Sequence, residues 1–68
     1  MRDVPISEPV IRLGQFLKLA DLVESGADAK PLLAAGEVRV NGDVVTERGR
    51  QLHRGDVVVV GADEVRVA

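Results

Sequence analysis

Cysteine, tryptophan and tyrosine are all absent from these 68 residues. Without cysteine there can be no disulfide, thiolate metal site or thiol nucleophile, and the composition fits a reducing compartment. Phe16 is the only aromatic residue, so there is no platform on which unpaired bases could stack. The one histidine, His53, stands among the cations Arg50 and Arg54, which neither orient an imidazole as a base nor share a metal with it. No segment approaches the roughly 20 apolar residues of a membrane-spanning helix. The opening Met1 to Val10 also lacks the basic start and apolar run of a secretory leader. The expectation is a cytoplasmic protein with no membrane contact.

Catalytic constellations are missing as well. Enzymes need converging groups, such as a nucleophile with its base or a paired acid and base, and none can be assembled from this inventory. Asp56, which follows Gly55 and precedes a strand-like run, suits a turn residue bonded to its own backbone better than a catalytic carboxylate. The glycines at 36, 42, 49, 55 and 61 are spread one per turn and form no phosphate-cradling loop. No catalytic residue, metal ligand or cofactor is assigned.

What is present is one small core. A chain this short buries only about 60% of its unfolded surface, so each apolar residue at helix or strand spacing is needed inside. Leu13, Phe16, Leu17 and Ala20 recur at i, i+3, i+4 and i+7, the stripe of a first helix, with Gly14, Gln15 and Lys18 on the opposite side. Ser25 is a suitable N-cap for a second helix ending at Gly36, with Ala29, Leu32 and Leu33 on its inner face. Pro31 inside that span would delete a hydrogen bond to Ala27, which predicts a late start or a distorted first turn.

Beyond Gly36 the period changes to two. Val38 and Val40 alternate with Glu37 and Arg39, and Asn41-Gly42 opens a β-hairpin. A strict two-residue loop would set Asp43 opposite Val40 on the buried side, so a longer loop or a bulge at Asp43 is expected. Gly55-Asp56 forms another turn, Val57–Val60 a buried strand, and Val65 and Val67 flank an outward Arg66 in the last strand. Residues 1–10, with Pro5 and Pro9, read as an extended arm anchored at Ile6, and residues 11–68 as the single domain.

The net charge of −2 opposes indiscriminate polyanion binding, yet the charges are not evenly spread. Asp21, Glu24 and Asp28 stand without a base among them, whereas Arg48, Arg50, His53 and Arg54 stand without an acid. An acidic chain can therefore carry a local positive face. Three guanidinium groups in seven residues around Gly49 repel one another unless an anion neutralises them. With no stacking platform, the mode open to these groups and to Lys18, Lys30 and Arg39 is contact with the phosphates and shape of a folded RNA. An acidic protein surface is the alternative partner for the same basic loop.

These residues also resemble a known family. Arg12-Leu13, Phe16-Leu17, Ser25, Ala29-Lys30, Leu32-Leu33, Gly36, Val38, Val40-Asn41-Gly42, Leu52 and Gly55-Asp56 fall without a gap in the register of the S-four-like RNA-binding module, the alpha-L motif of ribosomal protein S4. The run Leu13-Gly14-Gln15-Phe16-Leu17-Lys18-Leu19-Ala20-Asp21 and the later Arg48-Gly49-Arg50 resemble the stand-alone bacterial members, small cytoplasmic proteins consisting of little besides the module. The resemblance implies an α+β fold, a two-helix hairpin packed on a small antiparallel β-sheet, with RNA held along one face formed by the second helix and the following hairpin. The expected partner is structured RNA, such as ribosomal RNA or a ribosome-assembly intermediate, and the expected state a monomer. By position it carries RNA contact to Arg12, Ser25, Lys30, Arg39, Asn41 and Gly42, and through the stand-alone subgroup to Arg48 and Arg50. Lys18, His53 and Arg54 join them on charge. Gly14 stands where the module often has an acid, Gly26 where it often has a basic residue and Pro31 where it often has a polar or basic one, so the loop from Arg48 to Arg54 takes more of the expected binding.

Overall fold

The computed structural model describes residues 1–68. Strands β1 (Arg2–Val4) and β2 (Val10–Arg12) precede helices α1 (Leu13–Leu19) and α2 (Gly26–Ala34). Five strands follow: β3 (Val38–Val40), β4 (Asp43–Val44), β5 (Gln51–His53), β6 (Val57–Val60) and β7 (Asp63–Val67). They form a five-stranded sheet in the order β1-β7-β6-β3-β4 and a separate ribbon of β2 with β5. The two helices pack on these strands, which is the α+β arrangement expected. The larger sheet is mixed rather than purely antiparallel, because β1 runs parallel to β7, with Arg2 opposite Val65 and Val4 opposite Val67. Without β1, the strand carrying Val65 and Val67 would be an open edge with unpaired amides and carbonyls.

The core is continuous across both helices and the strands. Leu13, Phe16 and Leu17 from α1, Ala29 from α2, and Val38, Leu52 and Val58 from the strands are each fully buried. Each large apolar side chain so placed contributes about 1.5–3 kcal/mol. The opening residues are extended and tied down. The Ile6 N–H donates to the Ala68 carbonyl at 3.0 Å, the Arg54 guanidinium donates to the Ile6 carbonyl at 2.8 Å, and the Arg2 guanidinium donates to the carbonyl of Ala20.

Three local expectations are corrected. Gly14, assigned to the outer side of α1, is buried, because the chain around Arg48 lies across it. The second helix begins at Gly26, directly after Ser25, and runs unbroken through Pro31. Pro31 and Ala27 are both exposed, so the ring meets solvent and water can serve the carbonyl left without a donor. The Pro31 carbonyl still accepts from Ala35 at 3.0 Å. Finally, the β3–β4 loop is the tight two-residue form with no bulge. Val40 pairs with Asp43, and Asn41 and Gly42 adopt φ values of 52° and 90°, the double left-handed conformation of a type I′ turn. Asp43 is exposed although it faces the same side as buried Val40. It sits at the tip of an edge strand, beyond the core, and the alternation resumes at buried Val45, whose N–H donates to Val38.

The end of α2 is as expected. Gly36, at φ 72°, lets its own N–H reach Leu33 and that of Glu37 reach Leu32, both at 3.1 Å, a Schellman closure. Asp21, at φ 60°, closes α1 in the same way, through bonds to Lys18 and Leu17. No helix is long and apolar enough to cross a membrane.

Candidate functional site

The first turn of α1 has no side-chain cap, and its orphan amides are satisfied from a distance. The Leu13 N–H donates to the Arg50 carbonyl at 2.8 Å and the Gly14 N–H to the Arg48 carbonyl at 3.0 Å. The β4–β5 loop is thereby docked by its backbone onto the start of the helix, in line with the β2–β5 ribbon, where Arg12 pairs with Gln51. A side chain at 14 would collide with this loop, since a Cβ there would lie 2.5 Å from Cγ and 3.1 Å from Cδ of Arg48.

This docking opens a cleft of about 420 Å³ lined by Arg12, Gly14, Gln15, Lys18, Gly26, Arg48 and Gly49. Arg12 comes from the end of β2, Lys18 from the α1 face that also carries Gly14 one turn earlier, Gly26 from the start of α2, and Arg48 from the loop. Three cations meet there with no acid and no hydrophobic residue. Arg48 is shared with a neighbouring hollow of about 330 Å³ that it lines together with Lys30, Leu33, Ala34 and Thr46. Lys30 is thus brought to the same wall. The acids collect elsewhere: Asp21, Asp63 and Glu64 line a separate hollow with Arg2. An overall acidic chain therefore presents a cationic face, suited to a ligand with several negative charges and large enough to take a phosphodiester.

The remaining expected residues have other partners. Asn41 is bound into the fold through both ends of its amide: Nδ2 donates to Asp56 Oδ1 at 3.1 Å, and Oδ1 accepts the Val57 N–H at 2.9 Å. The other Asp56 oxygen accepts the His53 N–H at 2.8 Å and lies 3.9 Å from His53 Nδ1. Partial burial acts to raise the Asp56 pKa. The His53 N–H and the Asn41 amide, with the nearby charges of His53 and Arg50, outweigh it and hold the carboxyl below its ordinary 3.8. Asp56 is a turn residue, as expected. The Arg39 guanidinium reaches the Gly42 carbonyl at 3.5 Å, and the Ser25 hydroxyl donates to Asp28 at 3.3 Å instead of capping a backbone amide.

The three arginines of the loop have different surroundings. Arg48 lies over Gly14, Arg54 reaches back to Ile6, and Arg50 lines a hollow with Thr46 and Glu47. Of the expected contacts, then, the structure gathers Arg12, Lys18 and Arg48 in one cleft, with Lys30 beside it and Ser25 one residue from its Gly26 wall. Arg39, Asn41, Gly42, Arg50, His53 and Arg54 line neither hollow. The cleft also uses Gly14, Gln15 and Gly49, and the adjoining hollow Thr46, none of which was expected. Gly14 and Gln15 lie inside the run that resembles the stand-alone proteins, but helical periodicity placed them on a solvent face. No group of three or more His, Cys, Asp or Glu side chains is placed to hold a metal ion.

Comparison with known proteins gives concordant matches. The S4 domain family matches residues 4–68. A Bacillus subtilis (strain 168) protein named as a probable ribosome maturation protein, RlbA, is 49% identical over 57 residues, covering 84% of this chain and 80% of the relative. YbcJ of Escherichia coli (strain K12) is 37% identical over 59 residues, 87% of this chain and 84% of that one. The solution structure of YbcJ from E. coli, described as revealing an alfaL motif involved in RNA-binding, aligns at a TM-score of 0.76 with 33% identity over 100% of this chain and 87% of that one. The 30S ribosomal protein S4e of Thermoplasma acidophilum aligns at 0.66 with 25% identity, over 88% of this chain but only 32% of its own.

Proposed function

The chain belongs to the S4 domain family, and from that premise we propose that it is a non-catalytic protein that docks structured RNA through phosphate and shape contacts. The observation that carries this reading is the cleft where Arg12, Lys18 and Arg48 converge without an acid or an apolar wall. Such a lining suits a polyanion better than a small apolar ligand, which would need a hydrophobic pocket. Lys30, across Arg48, extends the contact to about four phosphates. The relatives' association with ribosome maturation and RNA binding supports ribosomal RNA or an assembly intermediate as the target, met by a monomer in the cytoplasm.

The test is a titration of a fluorescently labelled ribosomal RNA hairpin followed by anisotropy at several salt concentrations. Four neutralised phosphates give a slope of about −3 in log K against log salt, or about 100-fold weaker binding at 200 mM than at 50 mM. Arg48→Ala should weaken binding about tenfold and reduce the slope by about one. A flat salt response in the wild type refutes phosphate docking. If the cleft instead serves an acidic protein, partners captured from a lysate persist after nuclease digestion and the hairpin does not bind.

A further inference from the structure

Gly14 is the one buried glycine whose missing side chain leaves room for a specific neighbour. Elsewhere a Cβ at Gly26, Gly42, Gly49, Gly55 or Gly61 would meet nothing within 4 Å, and at Gly36 only ordinary contact. At Gly14 it would lie 2.5 Å from Arg48 Cγ, closer than real carbon contacts allow, and a tight 3.1 Å from Cδ. These are atoms in the middle of the arginine side chain, so no rotation of the guanidinium end relieves the overlap. The stem of Arg48 has to shift.

The backbone around this contact is held independently, by the Gly14 N–H bonded to the Arg48 carbonyl and the Leu13 N–H to that of Arg50. These bonds fix where Arg48 starts; the bare face of Gly14 fixes where its stem runs. Lys18 stands four residues on, one helical turn along the same face, and Arg12 immediately precedes the helix. An arginine laid across Gly14 is thereby delivered to the cleft beside both. Glycine in a helix is less favourable than alanine by about 1 kcal/mol, so its presence in the first turn calls for a compensating reason, and the seat supplies one.

We propose that Gly14 is a positioning residue, the seat that holds the Arg48 side chain in the cationic cleft and so sets the affinity of that cleft for RNA phosphate. The inference rests on the RNA reading given above. Any side chain at 14, even the methyl of alanine, displaces Arg48 and acts as if the arginine had been removed.

A double-mutant cycle tests it, with anisotropy of the labelled ribosomal RNA hairpin and nuclear Overhauser contacts in the free protein as the readouts. In the wild type, the Gly14 α-protons should show contacts to the Arg48 γ and δ methylenes. Gly14→Ala should lose them, weaken RNA binding about tenfold and flatten the salt slope by about one, as Arg48→Ala does. In an Arg48→Ala background Gly14→Ala should add less than about twofold, because nothing remains to be displaced. Its thermal unfolding should stay at or above that of the wild type, since helix propensity favours alanine. Equal losses in both backgrounds, or full RNA affinity in Gly14→Ala, overturn the seat. Absent Overhauser contacts in a wild type that binds RNA also overturn it while sparing the RNA reading. A wild type that shows the contacts but binds no RNA refutes that reading, and with it the affinity role, while leaving the packing intact.

Discussion

Replacing Asn41 separates two roles for one residue, a contact with RNA and a clamp within the fold. Its amide joins the β3–β4 turn to the β5–β6 turn through Asp56 and the Val57 N–H, and its backbone is left-handed at φ 52°. Asn41→Ala removes two hydrogen bonds of about 1 kcal/mol each. It also places a residue with a plain Cβ in a conformation that costs it about 1 kcal/mol or more. The sum is about 3 kcal/mol, against a total of about 3–10 kcal/mol for a chain of this length. At about 4–8 °C per kcal/mol for small domains, the unfolding temperature followed by circular dichroism should fall by about 12–24 °C. Asn41→Gly keeps the backbone conformation available and should recover about a third of that drop. Measured well below the transition, affinity for the hairpin should change by less than about twofold, because Asn41 lines neither cationic hollow. An unchanged unfolding temperature together with a loss of RNA affinity would refute the clamp and return Asn41 to the RNA surface.

Two further outcomes follow from the same geometry. The Asp56 pKa is lowered below 3.8 in the fold, so its contribution is complete above the unfolded value and is lost as pH falls through the folded one. Urea midpoints should therefore drop from about pH 5 downward in the wild type and less steeply in Asp56→Asn; parallel curves would rule out Asp56 as the titrating group. Arg54→Ala removes the donor to the Ile6 carbonyl and should lower stability by about 1 kcal/mol, with faster amide exchange over residues 2–6 and a smaller loss of RNA affinity than Arg48→Ala. The reverse ranking of Arg54 and Arg48 in RNA affinity would show that the Arg54 end of the loop, not the cleft, holds the ligand.

Much of the site's charge was legible in the residues, but not its grouping. Arg12, Lys18, Lys30 and Arg48 were each named from position or charge, and the structure sets them along two adjoining hollows. Arg50, His53 and Arg54 looked equivalent to Arg48, since proximity along the chain says nothing about which carbonyl or carboxylate a long side chain will find. Arg54 found the carbonyl of Ile6, 48 residues away. Asn41 and Gly42 matched a family pattern, and in the fold they form a tight turn that Asn41 links to the next one.

The periodicities alone determined that two helices precede a series of strands. A 3.6-residue stripe through Leu13, Phe16, Leu17 and Ala20, and a two-residue alternation through Val38, Val40, Val65 and Val67, can each be buried in only one way, so helices and strands follow locally. Gly36 likewise marked the end of α2 through its backbone freedom, and Ser25 marked its start, although the hydroxyl bonds Asp28 and not a backbone amide. Only the tertiary structure decided the parallel pairing of β1 with β7, the passage of α2 through Pro31, the tight turn at Asn41-Gly42, and the burial of Gly14 under Arg48. In each case the deciding partner is remote along the chain or is the solvent: an open strand edge, an exposed face that tolerates a lost hydrogen bond, a sheet rim beyond the core, a loop 34 residues away.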